Sequence, residues 1–133
     1  MEFIECSQNE LKQLIQQHKL DQNWGMAINN IDPLIEDPLA DGVYKIVLEG
    51  KVIGLIDLVP DMYGPDIIVI DLFEVIEKGK GYGRKIIEKF LNEEVPGCSV
   101  FLLPDSEGSA AFWKKLNFKP TFIHGQQEFC YIP

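Results

Sequence analysis

The stretch EKGKGYGRKIIEKF, residues 77–90, sets glycines at 79, 81 and 83 among Lys78, Lys80, Arg84 and Lys85. It then runs without a break into apolar residues at helical spacing: Ile86, Ile87, Phe90 and Leu91. That spacing predicts a helix starting near Gly81. The first N–H groups of a helix have no partner within it and lie at the positive end of its dipole, so such a start suits an anion. Glycine removes the Cβ atoms that would keep a phosphate from those amides, and the cations add charge. Pyrophosphate fits this junction; the alternative is a turn whose glycines only allow close packing. Neither common nucleotide loop matches. Counted from Gly79, the dinucleotide pattern GxGxxG meets Arg84 at its last position, and no GxxxxGK followed by Ser or Thr occurs.

Working outward, DIIVIDLFEV (66–75) reads as an apolar strand of the kind buried on both faces, interrupted by Asp71 and Glu74. Strict alternation puts Asp71 on one face with Val69 and Phe73, and Glu74 on the other with Ile70 and Leu72. GVYKIVLEGKVIGLIDLV (42–59) predicts a β-hairpin turning at Glu49 and Gly50. CSVFLLP (98–104) predicts a buried strand. SEGSAAFWKKLNF (106–118) predicts a helix capped by Asp105 or Ser106 and ended by Asn117, a residue that tolerates the left-handed conformation. At the N-terminus MEFIEC is a short strand, and Ser7 with Glu10 forms a capping box for a helix carrying Leu11, Leu14, Ile15 and Leu20. Residues 21–41, broken by Pro33 and Pro38, read as a loop with at most short helical pieces. TFIHGQQEFCYIP (121–133) closes the chain as two short strands around Gly125.

Composition narrows the class. The chain has 133 residues, 46% hydrophobic and 25% charged, and is expected to fold as one domain over 1–133. No apolar run of membrane-spanning length and no signal-peptide core occurs, so a cytoplasmic location is expected, with no membrane partner. Cys6, Cys98 and Cys130 lie far apart without metal-ligand spacing, which suggests thiols in a reducing compartment and neither a disulfide framework nor a zinc site. Twelve Lys and Arg against 21 Asp and Glu give a net charge of −9, which disfavours nucleic acid and favours cationic ligands.

KGKGYG (78–83) resembles the acetyl-CoA loop of the GNAT superfamily of N-acetyltransferases, with Lys78 where Gln or Arg is usual. Downstream, AAFWKKLNF (110–118) is similar to the helix end that the family writes as A..FYEKLGF, and LEGKVIGLIDL resembles its central antiparallel strands. The likeness covers about residues 42–133. It implies an α/β (α+β) fold: a mixed, mostly antiparallel central sheet flanked by helices, with the strands equivalent to IVIDLFEV and CSVFLL splayed to admit a cofactor arm. It further implies acetyl-CoA as cofactor, with no metal. Main-chain groups of Phe73 and Val75 would bond the pantetheine amides. Residues Lys78, Gly79, Lys80, Gly81, Tyr82, Gly83 and Arg84 would hold the pyrophosphate, and Phe112 and Lys115 would lie beside the arm and the nucleotide end.

The chemistry so implied is direct acetyl transfer to a primary amine, which needs a base for the ammonium and a donor for the oxyanion or leaving thiolate. Asp71 is the favoured base, with a pKa raised by partial burial. Glu74 and water are alternatives. At the family's usual tyrosine position stands Trp113, whose N–H donates but delivers no proton. The acid is then absent or supplied by Tyr82, Tyr131 or Cys130. Asp32, Glu36, Asp37 and Asp41 suit a cationic acceptor, a small molecule rather than a protein, with Trp24 and Trp113 as candidate pocket or core residues. Oligomeric state is left open between monomer and homodimer. The alternative function is a GNAT-shaped acyl-CoA-binding or regulatory module without turnover.

Overall fold

The computed structural model describes residues 1–31, 42–60, 64–104, 107–122 and 125–133. Strands β1 (Glu2–Glu5), β2 (Gly42–Leu48), β3 (Lys51–Pro60), β4 (Ile67–Val75), β5 (Ser99–Leu102), β6 (Lys119–Thr121) and β7 (Glu128–Tyr131) form one seven-stranded sheet in the order β1-β2-β3-β4-β5-β7-β6. β4 and β5 run parallel, and the remaining ladders are antiparallel. The expected mixed, mostly antiparallel sheet flanked by helices is what the chain forms.

Helices cover both faces of the sheet. On one lie α1 (Gln8–His18) and α2 (Asn23–Ala27), whose Leu11, Leu14, Trp24 and Ala27 pack with Val43 and Leu55. On the other lie α3 (Tyr82–Lys89), continued by a π-helical turn at Phe90–Glu94, and α4 (Glu107–Lys115). Their Ile86, Ile87, Phe90 and Trp113 pack with Ile46, Ile56, Ile70 and Val100. No described helix is long and apolar enough to cross a membrane.

Local signals hold where they depend on neighbouring residues. Glu10 N–H donates to Ser7 Oγ at 3.1 Å, and Ser7 N–H donates back to Glu10 Oε1 at 3.4 Å, closing the capping box. Glu49 (φ 52°) and Gly50 (φ 78°) turn the β2–β3 hairpin with both residues at positive φ, the geometry of a type I′ turn. Asn117 takes φ 69° at the end of α4. Of the last two strands, β6 begins earlier than expected, at Lys119, while β7 falls where expected, and the pair brackets Gly125. Asp105 and Ser106, the expected caps of α4, lie outside the described residues, as do Asp32, Glu36, Asp37 and Asp41.

The expected alternation along β4 is corrected. Asp57 of β3 pairs with Leu72, but the adjacent Leu58 pairs with Ile70, so Asp71 is an extra residue bulged out of the ladder. The bulge reverses the faces beyond it. Ile70 and Phe73 both belong to the α3–α4 side, whereas Leu72 packs on the α1–α2 side. Asp71 shares neither face cleanly and is exposed rather than partly buried, while Glu74 is half-buried. The strand is also less enclosed than its apolar run suggested: only Ile68 and Ile70 of β4 are buried.

Candidate active site

β4 and β5 pair only from Ile67 with Ser99 to Ile70 with Leu102. Past the Asp71 bulge, β4 continues to Val75 without a β5 partner, so the two strands part where the bulge bends β4. The parting opens a cavity of about 520 Å³, with walls that include Asp71, Phe73, Glu74 and Val75 of β4, Leu102 at the end of β5 and Leu103 after it, Ser109, Phe112 and Trp113 of α4, and Asp21, Asn23 and Trp24 at the start of α2. Trp24 and Trp113, 2% and 5% exposed, serve both as core and as cavity wall.

A second cavity, of about 410 Å³, lies at the start of α3 and is walled by Val75, Glu77, Lys78, Gly79, Gly81, Tyr82, Gly83, Arg84, Phe112, Lys115 and Leu116. Gly81 is the residue before the helix, with φ 72°, and offers no side chain to cap the first amides of α3. Gly79 (φ 83°) and Gly81 have open space where a Cβ would stand. Gly83 differs. A Cβ there would meet Val75 Cγ2 at 3.2 Å and Phe112 Cζ at 3.4 Å, so this glycine serves close packing of α3 against β4 and α4. Both readings of the glycine-rich stretch are thus present in one loop, at different residues.

Val75 and Phe112 line both cavities, which therefore share a wall. The partition between them is aromatic: Phe112 stacks on Trp113 at 4.9 Å between ring centroids, and Phe73 lies 5.8 Å from Trp113.

The residues expected at a cofactor divide between the cavities. Lys78, Gly79, Gly81, Tyr82, Gly83, Arg84 and Lys115 line the second and Phe73 the first, while Lys80 lines neither. Lys80 Nζ instead donates to Glu77 Oε2 at 2.9 Å, and Lys51 pairs with the other oxygen of the same carboxylate. Arg84 Nε donates to Glu88 at 2.7 Å, and this partner holds the guanidinium pKa above its usual value. Of the residues considered for acid catalysis, Tyr82 lies in the second cavity and Cys130 in a separate one beside β6; Tyr131 is in none of these three. Burial pushes the Cys130 thiol up as well.

Asp21, Asn23, Ser109 and Glu77 went unnoticed in the sequence. Ser109 carried a signal: four residues before Trp113 on a helix, it shares that residue's face, and Trp113 Nε1 donates to Ser109 Oγ at 3.2 Å.

No family model matches the chain, and no curated protein matches it by sequence. Solved structures do. An acetyltransferase from Thermus thermophilus superposes with a TM-score of 0.69 at 15% identity, covering 99% of this chain and 95% of that one. A Bacillus subtilis N-acetyltransferase in complex with coenzyme A gives 0.60 at 18%, covering 99% and 96%. A chimera of the spermidine N-acetyltransferase from Vibrio cholerae gives 0.65 at 14%, also covering 99% and 96%. With the sheet parted at β4 and β5 and a glycine-rich turn opening α3, the fold of this chain is that of the GNAT acetyltransferases.

Proposed function

We propose that this chain is an acetyl-CoA-dependent N-acetyltransferase of the cytoplasm that moves an acetyl group directly to the primary amine of a small cationic acceptor. One observation carries the reading: two cavities that share Val75 and Phe112 as a wall, one at the glycine-opened start of α3 among cations and the other among carboxylates where two strands part. Coenzyme A has the matching outline, with phosphates at one end and a thioester at the other. The residues fit it, since glycines at 79 and 81 leave open the space a Cβ would fill. Coenzyme A is bound in the Bacillus subtilis structure and the Vibrio cholerae protein is a spermidine N-acetyltransferase, which supports both cofactor and acceptor class.

When bound, acetyl-CoA supplies the activated carbonyl and a thiolate leaving group. Main-chain amides from Gly79 to Arg84 would hold its pyrophosphate with Lys78, Tyr82 and Lys115 nearby, and main-chain groups of Phe73 and Val75 would meet its arm, covered by Phe112. Asp71 takes the proton of the acceptor ammonium, directly or through water, and Glu74 and Asp21 share in attracting that cation. A thermal-shift titration with acetyl-CoA, followed by thiol release over a panel of amines that includes spermidine, tests the reading. Saturable stabilisation with amine-dependent release is expected. Stabilisation without release would mark a regulatory acyl-CoA-binding module, and no stabilisation would remove the cofactor.

A further inference from the structure

We propose that Glu77 limits the grip on coenzyme A by keeping Lys80 and Lys51 from its phosphates, and so lets the product leave. This rests on the acetyl-CoA reading of the cavity at α3 and adds to it the residue that sets how firmly the cofactor is held.

A carboxylate opposes the charge of an anion site. Among the described lining of that cavity Glu77 is the one acidic residue, beside Lys78, Arg84 and Lys115. The fold puts it there. Gly54 pairs with Val75, and the Ile76 N–H donates to the Ile53 carbonyl at 2.8 Å, so the chain leaving β4 runs on beside β3 and brings Glu77 to Lys51. The Glu77 side chain is 16% exposed and each of its oxygens takes a cation: Oε1 pairs with Lys51, and Oε2 accepts from Lys80 at 2.9 Å. Neither lysine is part of the cavity wall. Yet Lys80 Nζ stands 6.0 Å from the centre of the Tyr82 ring, which does line the cavity, so a short swing of its flexible stem would bring the ammonium to a phosphate there.

Two effects therefore add. The Glu77 charge repels phosphates directly, and its pairing withholds a cation within their reach. Acetyl-CoA and coenzyme A present the same phosphates to this cavity, so a contact made here binds substrate and product alike and does nothing for the transfer step. Held too firmly, the product would occupy the site after each cycle. Glu77 offsets part of the pull of the helix amides and the lining cations, at the end of the cofactor remote from the acetyl group.

Glu77→Gln keeps the size of the side chain while removing its charge, and the ion pairs it breaks are exposed at their lysine ends, so the fold should hold. Calorimetric titration should show the Kd of coenzyme A falling about tenfold, the worth of one charge interaction near a protein surface. The KM for acetyl-CoA and the inhibition constant of coenzyme A as product should fall with it, and kcat should not rise. Affinity should also weaken more steeply with added salt, because a lysine is freed for the phosphates. Glu77→Asp, which retains the carboxylate, should restore a Kd near the wild-type value, and Glu77→Gln combined with Lys80→Met should lose most of the gain. A Kd unchanged or raised in folded Glu77→Gln, or a gain that survives the loss of Lys80, would overturn this inference and leave the acetyl-transfer reading standing; failure of the wild-type protein to bind coenzyme A would overturn both.

Discussion

The two cavities share a wall yet are built in opposite ways. The one at α3 is made largely by one contiguous stretch, residues 77–84, and its main chemical resource is backbone: helix amides exposed by glycines. The one between β4 and β5 is made by side chains from α2, β4 and α4, brought together by a bulge and by the end of a ladder. A main-chain anion site can be read from residue order, because helix ends and glycines act locally. A carboxylate site assembled from three elements cannot.

The sharpest way to separate the cavities is Asp71→Asn. Turnover should fall about 10²- to 10⁴-fold, the usual worth of a general base, while the Kd of coenzyme A stays near its wild-type value. The loss should shrink as pH rises and the free amine deprotonates in solution. Steady-state rates beside calorimetric binding decide it, and Glu74→Gln producing this effect in place of Asp71→Asn would move the base to Glu74.

Gly83→Val attacks the shared wall. Its branched side chain would press on Val75 and Phe112, where even a Cβ lies within 3.2 and 3.4 Å. A stability loss of about 1–3 kcal/mol from overpacking is expected, with binding and rate impaired together. Chemical denaturation measures the first. Unchanged stability would mean that the wall yields freely.

Gly81→Leu should act on the phosphate cavity alone. The space there is open, so the stability change comes from the left-handed φ of 72° and amounts to about 1–2 kcal/mol. The Kd of coenzyme A should rise at least about tenfold, since a lost charge-assisted bond is worth about 1.5–3 kcal/mol. Retained affinity in the folded variant would remove the loop from phosphate binding.

The smallest effect lies away from both cavities. Lys45 Nζ pairs with Glu10, joining α1 to β2, and this hydrogen bond holds the Glu10 carboxyl below its ordinary value of 4.5. Because the folded pKa is the lower one, the pair stabilises the protein above the ordinary carboxylate range and loses that contribution as pH falls through the folded value. Both side chains are only partly exposed and reach water, so Lys45→Met should cost about 1 kcal/mol at neutral pH and the difference should vanish by about pH 2. Denaturation at both pH values checks this, and acetyl-CoA binding should not change.

Particular residues show where legibility ends. Ser7 with Glu10, the Glu49 and Gly50 turn, Asn117 at a helix end and the glycine start of α3 were all readable, because each is settled by residues within a turn of one another. Asp71 stood out as a carboxylate in an apolar run, but its placement could not be read. A bulge exists only relative to a partner strand, and the count slips where Asp57 and Leu58 meet Leu72 and Ile70. Glu77 looked like one more charge, yet it holds Lys80 and Lys51 rather than leaving the loop purely cationic.

By itself, then, the amino-acid sequence determined which segments become helices and strands, where the glycine-rich turn opens a helix, and the overall negative charge. These follow from periodicity, capping and composition, which are short-ranged or additive. Tertiary structure alone decided that β4 leaves β5 at Ile70, that Asp21, Asp71 and Glu74 face one cavity, and that Ser109 receives the N–H of Trp113. Strand pairing and helix packing join residues up to tens of positions apart, and the contacts they create are set by the register of whole elements rather than by any residue's neighbours in the chain.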